Sequence, residues 1–178
     1  MNAITIAIFV LLTSSTTASF AQNCKEVKEK KDAFTNKTEK SARIVIGNLM
    51  TKWLVEMFQS DGATTMKWGI AMQGEYNQKL EEGTKLLLKL EDGTVLTLNT
   101  SEPTTPITQV LSGGAGTVNV FSQYNLKFNL DKETLSALSS SIITDIKVDV
   151  PGLPIKNPKI KSSQMEKVMD VSGCFLKG

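Results

Sequence analysis

The residue types that could do chemistry are few. The chain has two cysteines, Cys24 and Cys174, and no histidine. Ser-His-Asp and Cys-His catalysis need an imidazole to carry the proton, so both are excluded. Zinc sites with histidine ligands are excluded too, and two cysteines are too few for an all-cysteine site. An even cysteine count in an oxidising compartment favours a bridge. A Cys24–Cys174 disulfide would leave no thiol nucleophile; the alternative is two unpaired thiols. The Gly-rich stretch Ser112 to Thr117 lacks the lysine that follows a phosphate-binding loop, and it precedes a strand rather than a helix. It reads as a flexible loop. No calcium-loop pattern is present. Carboxylates remain. Glu81, Glu82, Glu91 and Asp92 lie in or beside turns, whereas a two-carboxylate glycan hydrolase needs a deep cleft with the acids about 5–9.5 Å apart. No catalytic residue, metal-ligand set or cofactor is expected.

A binding surface could instead use exposed aromatics. Trp53, Trp68, Tyr124 and Phe128 all fall on apolar faces of the strands described below, which makes them core residues. Phe121 sits on the polar face of its strand. Tyr76 lies in the turn region Gly74-Glu75-Tyr76-Asn77. Phe121 and Tyr76 are therefore the candidate contact residues.

The elements that must position these residues are mostly strands. β-branched content marks a first strand over 42–47. Asp61-Gly62 is a two-residue hairpin signal. It sets Trp53 opposite Ile70, Val55 opposite Trp68 and Met57 opposite Met66 on one face, with Glu56 opposite Lys67 on the other. A second hairpin turns at Glu91-Asp92-Gly93. A three-residue loop with Gly93 in the left-handed position pairs Leu88 with Leu96 and Leu86 with Leu98, and puts Lys85, Lys89, Thr97 and Asn99 on the opposite face. Residues 101–116, with Pro103, Pro106, Gly113, Gly114 and Gly116, read as one long loop, either functional or disordered.

Alternation is clearest over 118–130, where Val118, Val120, Tyr124, Leu126, Phe128 and Leu130 point one way and Asn119, Gln123, Asn125, Lys127 and Asn129 the other. Asp131 can cap a short helix over about 131–140, with Glu133 in its first turn and Leu135 and Leu138 on its buried side. A strand follows, with Ile142, Ile146, Val148 and Val150 inward and Asp145, Lys147 and Asp149 outward, ended by Pro151-Gly152 and Pro154. A second helix over about 163–172 has Ser163 and Glu166 at capping-box spacing, Met165, Val168 and Met169 on one face, and Gly173 as its stop. It would deliver Cys174 to its partner. The fold class is therefore mainly β: an antiparallel β-sandwich or curled sheet with two short helices.

Residues 1–21 have the order of a secretory signal peptide: an apolar core from Ile4 to Leu12, then small residues with Ser19 and Ala21 placed for cleavage before Gln22. Its start lacks Lys or Arg, which departs from the pattern. The apolar run is about half the roughly 20 residues a membrane span needs. Residues 22–178 then form one mainly-β domain with no transmembrane segment after cleavage. The formal net charge of +2 is too balanced to argue for nucleic acid. The Lys-rich run from Lys25 to Lys40 is interleaved with Glu26, Glu29, Asp32 and Glu39, and reads as a solvated, partly mobile face.

Several motifs carry a resemblance: the leader ending Ser19-Phe20-Ala21-Gln22, the early Cys24, the stretch Asp32-Ala33-Phe34-Thr35, the Leu-rich hairpin with Leu90-Glu91-Asp92-Gly93, and a final helix with Cys174. Together they resemble small uncharacterised exported proteins of Bacteroidetes type. The resemblance implies a periplasmic, cell-surface or secreted location and no particular activity. The expected role is an exported, non-enzymatic binding protein with a protein or glycan partner in the envelope or outside the cell. The alternatives are a structural cell-envelope component and a small carboxylate-dependent glycan hydrolase.

Overall fold

The structure is a computed structural model and describes residues 23–47, 52–112, 118–150, 152, 153, 155 and 159–177, with Ser112 described in its backbone only. The leader expected at 1–21, most of the Gly-rich stretch, and Pro151 and Pro154 lie outside the described residues. A short 3-10 turn, Cys24–Glu26, opens the fold. Strands β1 (Val27–Lys31), β2 (Thr38–Gly47), β3 (Lys52–Ser60), β4 (Ala63–Gln73), β5 (Lys85–Leu90), β6 (Val95–Asn99), β7 (Ile107–Ser112) and β8 (Val118–Leu130) follow. Helix α1 (Lys132–Ser140), strand β9 (Ile143–Asp149) and helix α2 (Ser162–Leu176) complete it. All strand pairs are antiparallel, in a six-stranded sheet β1-β2-β3-β4-β8-β7 and a three-stranded sheet β6-β5-β9. One cluster of buried apolar residues draws on both sheets and both helices.

Both predicted hairpins form in the predicted register. Asp61 and Gly62 have φ of 53° and 77°, the left-handed pair a two-residue turn requires. The register Trp53–Ile70, Val55–Trp68, Met57–Met66 and Glu56–Lys67 follows. Trp53 and Trp68 are buried and meet edge to face, with ring centroids 6.3 Å apart and planes at 85°. In the second hairpin Gly93 takes φ 89°, and Leu86 and Leu88 face Leu98 and Leu96. Asp131 caps α1 by accepting the Thr134 backbone N–H at 2.7 Å, and Leu135 and Leu138 are buried.

Five expectations change. The first predicted strand is the second half of β2, which begins at Thr38. Part of the Lys-rich run before it is strand β1, solvated as expected, paired along the edge of the large sheet. The predicted loop 101–116 contains β7, paired with β8 from Ile107 to Ser112. In β9, Lys89 faces Asp145 and Leu90 faces Ile143, so Thr144 is an extra residue; its hydroxyl donates to the Lys89 carbonyl at 3.1 Å. This bulge shifts the alternation by one, so Ile143 is buried and Ile142 only half-buried. Finally, α2 starts at Ser162, after Lys161, with no side-chain cap, and the Ser163–Glu166 box does not form. The helix also runs through Gly173, because Val171, Cys174 and Phe175 continue its buried stripe. Burial of that stripe outweighs the end signals in the sequence.

Helix α2 is fastened to the β1–β2 side of the large sheet. The Gln164 carboxamide donates to the Gly47 carbonyl and accepts from the Gly47 N–H, both at 3.2 Å. Gln59 Nε2 donates to the Phe175 carbonyl at 3.1 Å, and Lys40 Nζ to the Cys174 carbonyl at 3.4 Å. Lys167 pairs with Glu26 at 2.6 Å. The Cys24–Cys174 disulfide closes the same corner, with Cα atoms 5.9 Å apart.

Candidate functional site

The cysteines, Asp32, Asp131 and Tyr124 are held in structural roles. Both thiols are in the disulfide. Asp32 accepts from the Phe34 and Thr35 backbone N–H groups and the Thr35 hydroxyl, at 2.7–2.9 Å. The Thr35 bonds, with help from Phe34, lower its pKa below the usual carboxylate value. The Thr134 bonds lower that of Asp131 in the same way. Burial, then the nearby Tyr76, raises that of Tyr124, whose hydroxyl donates to the Gln78 carbonyl at 3.0 Å. Of the turn carboxylates, Glu81 pairs with Lys79 at 3.3 Å, and Asp92 accepts from the Thr94 N–H at 2.8 Å. Among the described residues there is no group of three or more potential metal ligands. No helix among them is long and apolar enough to cross a membrane.

An open groove of about 460 Å³ lies over β1–β3, lined in part by Glu26, Lys28, Arg43, Glu56 and Phe58. Its two carboxylates are engaged. Glu26 pairs with Lys167, and Glu56 lies 3.6 Å from Arg43 and 4.0 Å from Lys67.

Phe121 and Tyr76 occupy opposite sides of the large sheet. Phe121 is half-buried on the face away from the core, between Gln73 on β4 and Gln109 on β7. The next residue, Ser122, points inward. Its hydroxyl accepts the Tyr76 N–H at 2.8 Å and donates to the Gly74 carbonyl at 3.0 Å. Tyr76 packs against the margin of the core. Gly74, at φ 110°, leaves room for that ring: a Cβ there would sit 3.3 Å from it. Tyr76 is thus tied down by Ser122, and Phe121 alone of the two faces outward.

Phe121 adjoins a feature that sequence reasoning missed. Among the described residues, eight large apolar side chains are exposed, and four of them gather at one end of the large sheet: Ile107 (55%), Val110 (63%), Leu111 (53%) and Val118 (63%). β7 is the edge strand there. Ile107, Gln109 and Leu111 share the outer face with Phe121, and Val110 shares the inner face with Val118 and Val120. Gln109 Nε2 donates to Gln123 Oε1 at 3.3 Å, and Gln123 Nε2 to Asn125 Oδ1 at 2.9 Å. This carboxamide chain runs along the outer face beside Phe121. β7 carries no charge, no proline and no bulge, the usual devices that blunt an edge.

Two more exposed aromatics escaped sequence reasoning: Phe58 on β3, 43% exposed, and Phe34. Phe34 is 96% exposed at the tip of the β1–β2 turn, held outward by the hydrogen bonds of Asp32. The Asp-x-Phe-Thr spacing is the signal that could have revealed it, since such Asx turns project their third residue.

No family model, curated protein or solved structure matches this chain.

Proposed function

We propose that this chain is an exported, non-enzymatic binding protein whose contact surface is the β7–β8 end of the large sheet. The observation that carries the reading is β7 itself: an edge strand whose outward backbone groups meet no other strand among the described residues, with exposed apolar side chains on each face, beside the half-exposed Phe121. Such an edge takes up a further strand, with main-chain hydrogen bonds giving affinity and alternate side chains giving selectivity. Export is supported by the leader-like order of residues 1–21 and by the disulfide.

Placing a photocrosslinking residue at Val110, and separately at Lys30 on the opposite edge, tests the surface in intact cells. A discrete adduct from position 110 and none from position 30 is the expected result. No adduct at 110, or the same adducts from both positions, would overturn it. Intact mass from fractionated cells tests export: a mass for residues 22–178 in the envelope or medium is expected, and one retaining 1–21 would contradict it.

A further inference from the structure

Building on that reading, we infer that the strand received by β7 is the β7 of a second copy of this chain, joined antiparallel about a two-fold axis normal to the sheet. Charge permits this occupant, and the symmetric register selects it. β7 reads Ile-Thr-Gln-Val-Leu-Ser and carries no charge, and the formal net charge of the chain is only +2. Two copies therefore approach without like-charge repulsion at the contact and with little at long range. The other edge of the same sheet is a poor match. β1 exposes Lys28, Glu29, Lys30 and Lys31, and a β7–β1 contact would set these against apolar side chains. That contact would also be heterologous and would not close, whereas β7 on β7 closes as a dimer.

The two-fold also fixes the register. An axis normal to the sheet keeps outer faces together, so a residue faces one of the same parity. Centring on Gln109 sets Ile107 opposite Leu111 of the second copy, twice, on the outer face. On the inner face it sets Thr108 opposite Val110, twice. Centring on Val110 would place Gln109 opposite Leu111 and lose both Ile–Leu pairs. The Gln109 register is therefore the one chosen. Its next outward pair would bring in Pro106, which has no N–H, so the ladder ends there. The product is a continuous twelve-stranded sheet built from two six-stranded ones. The contact is small, so association is concentration-dependent rather than permanent.

Sedimentation of purified 22–178, disulfide intact, from about 1 µM to about 1 mM is the test. A monomer–dimer equilibrium is expected. Ile107→Lys should weaken it about tenfold or more, because symmetry removes two pairs with one substitution. Leu111→Lys, from the other end of the same pair, should do the same, with near-ultraviolet circular dichroism confirming that each variant folds. Gln109→Cys should form an interchain disulfide on mild oxidation and Val110→Cys should not, since only the first brings like Cα atoms within bridging range. A wild-type monomer across the whole range, or equal crosslinking at 109 and 110, would overturn the inference. A monomer that still yields a photoadduct with another protein from position 110 would remove the second copy and leave the binding surface standing. A monomer with no adduct would remove both.

Discussion

The two edges of the large sheet are built to opposite specifications. At one, β1 has four exposed charged side chains, and the neighbouring β2 is held to α2 by Gln164 and Lys40, with the disulfide and the Lys167–Glu26 pair closing the corner. At the other, β7 has exposed apolar side chains on both faces and, among the described residues, pairs only with β8. Strand pairing is identical chemistry at both ends; side chains decide whether an edge is closed or receptive. The protein thus has a locked side and an open side, and the open side carries the functional reading.

Unlocking the closed edge should give the largest effect. Replacing both Cys24 and Cys174 by Ser removes a crosslink with a sequence separation of 150, which is worth about 2–5 kcal/mol. Denaturant unfolding should show the loss. Amide exchange should accelerate in β1 and α2 well before β7 responds, and uniform acceleration would mean the two sides are not independent. Making the closed edge resemble the open one comes next. Lys28→Val with Lys30→Val should give the chain two receptive edges, allow open-ended β7–β1 growth, and produce turbidity at concentrations where the native protein stays clear.

The converse exchange, Val110→Lys, should leave stability within about 0.5 kcal/mol, because the site is solvent-exposed. A larger loss in thermal unfolding would show that β7 serves the fold rather than a partner. The smallest effect is expected from Lys167→Met, which breaks an exposed ion pair with Glu26 and should cost about 0.5 kcal/mol or less.

Acid offers a graded test on the closed side. The Asp32 pKa is lowered in the fold by the bonds from Thr35 and Phe34. The stabilisation it gives is present above its unfolded pKa and is lost as pH falls through the lower folded value. On titration below about pH 4, the Phe34 and Thr35 amides should lose exchange protection, while those of β7 should show no linked step. Asp32→Asn should abolish the dependence at that turn.

The β3–β4 and β5–β6 registers were legible because alternation and the Asp-Gly and Gly93 turns agree on one answer. β1 was not legible as a strand, since an edge strand of Lys and Glu has almost no buried face to leave a pattern. β7 was hidden for the opposite reason. Its apolar residues 107, 110 and 111 fall on both faces, so period two fails, and flanking Pro and Gly residues suggested a loop. The Thr144 bulge changes the phase of β9 without any local sequence mark, and α2 overran its end signals because Phe175 is buried. At the candidate site, Phe121 was legible as an aromatic on a polar face. Its neighbours on β7 required knowledge of which strand lies beside β8.

The Cys24–Cys174 bridge has one more consequence, for survival after damage. It ties the first described turn to the last helix, and nearly every loop and strand lies between the two half-cystines. A protease that cuts any one of those loops leaves both pieces covalently attached. Such a nicked molecule would keep its mass, change its mobility only after reduction, and retain both fragments long enough for the shared core to hold them in place.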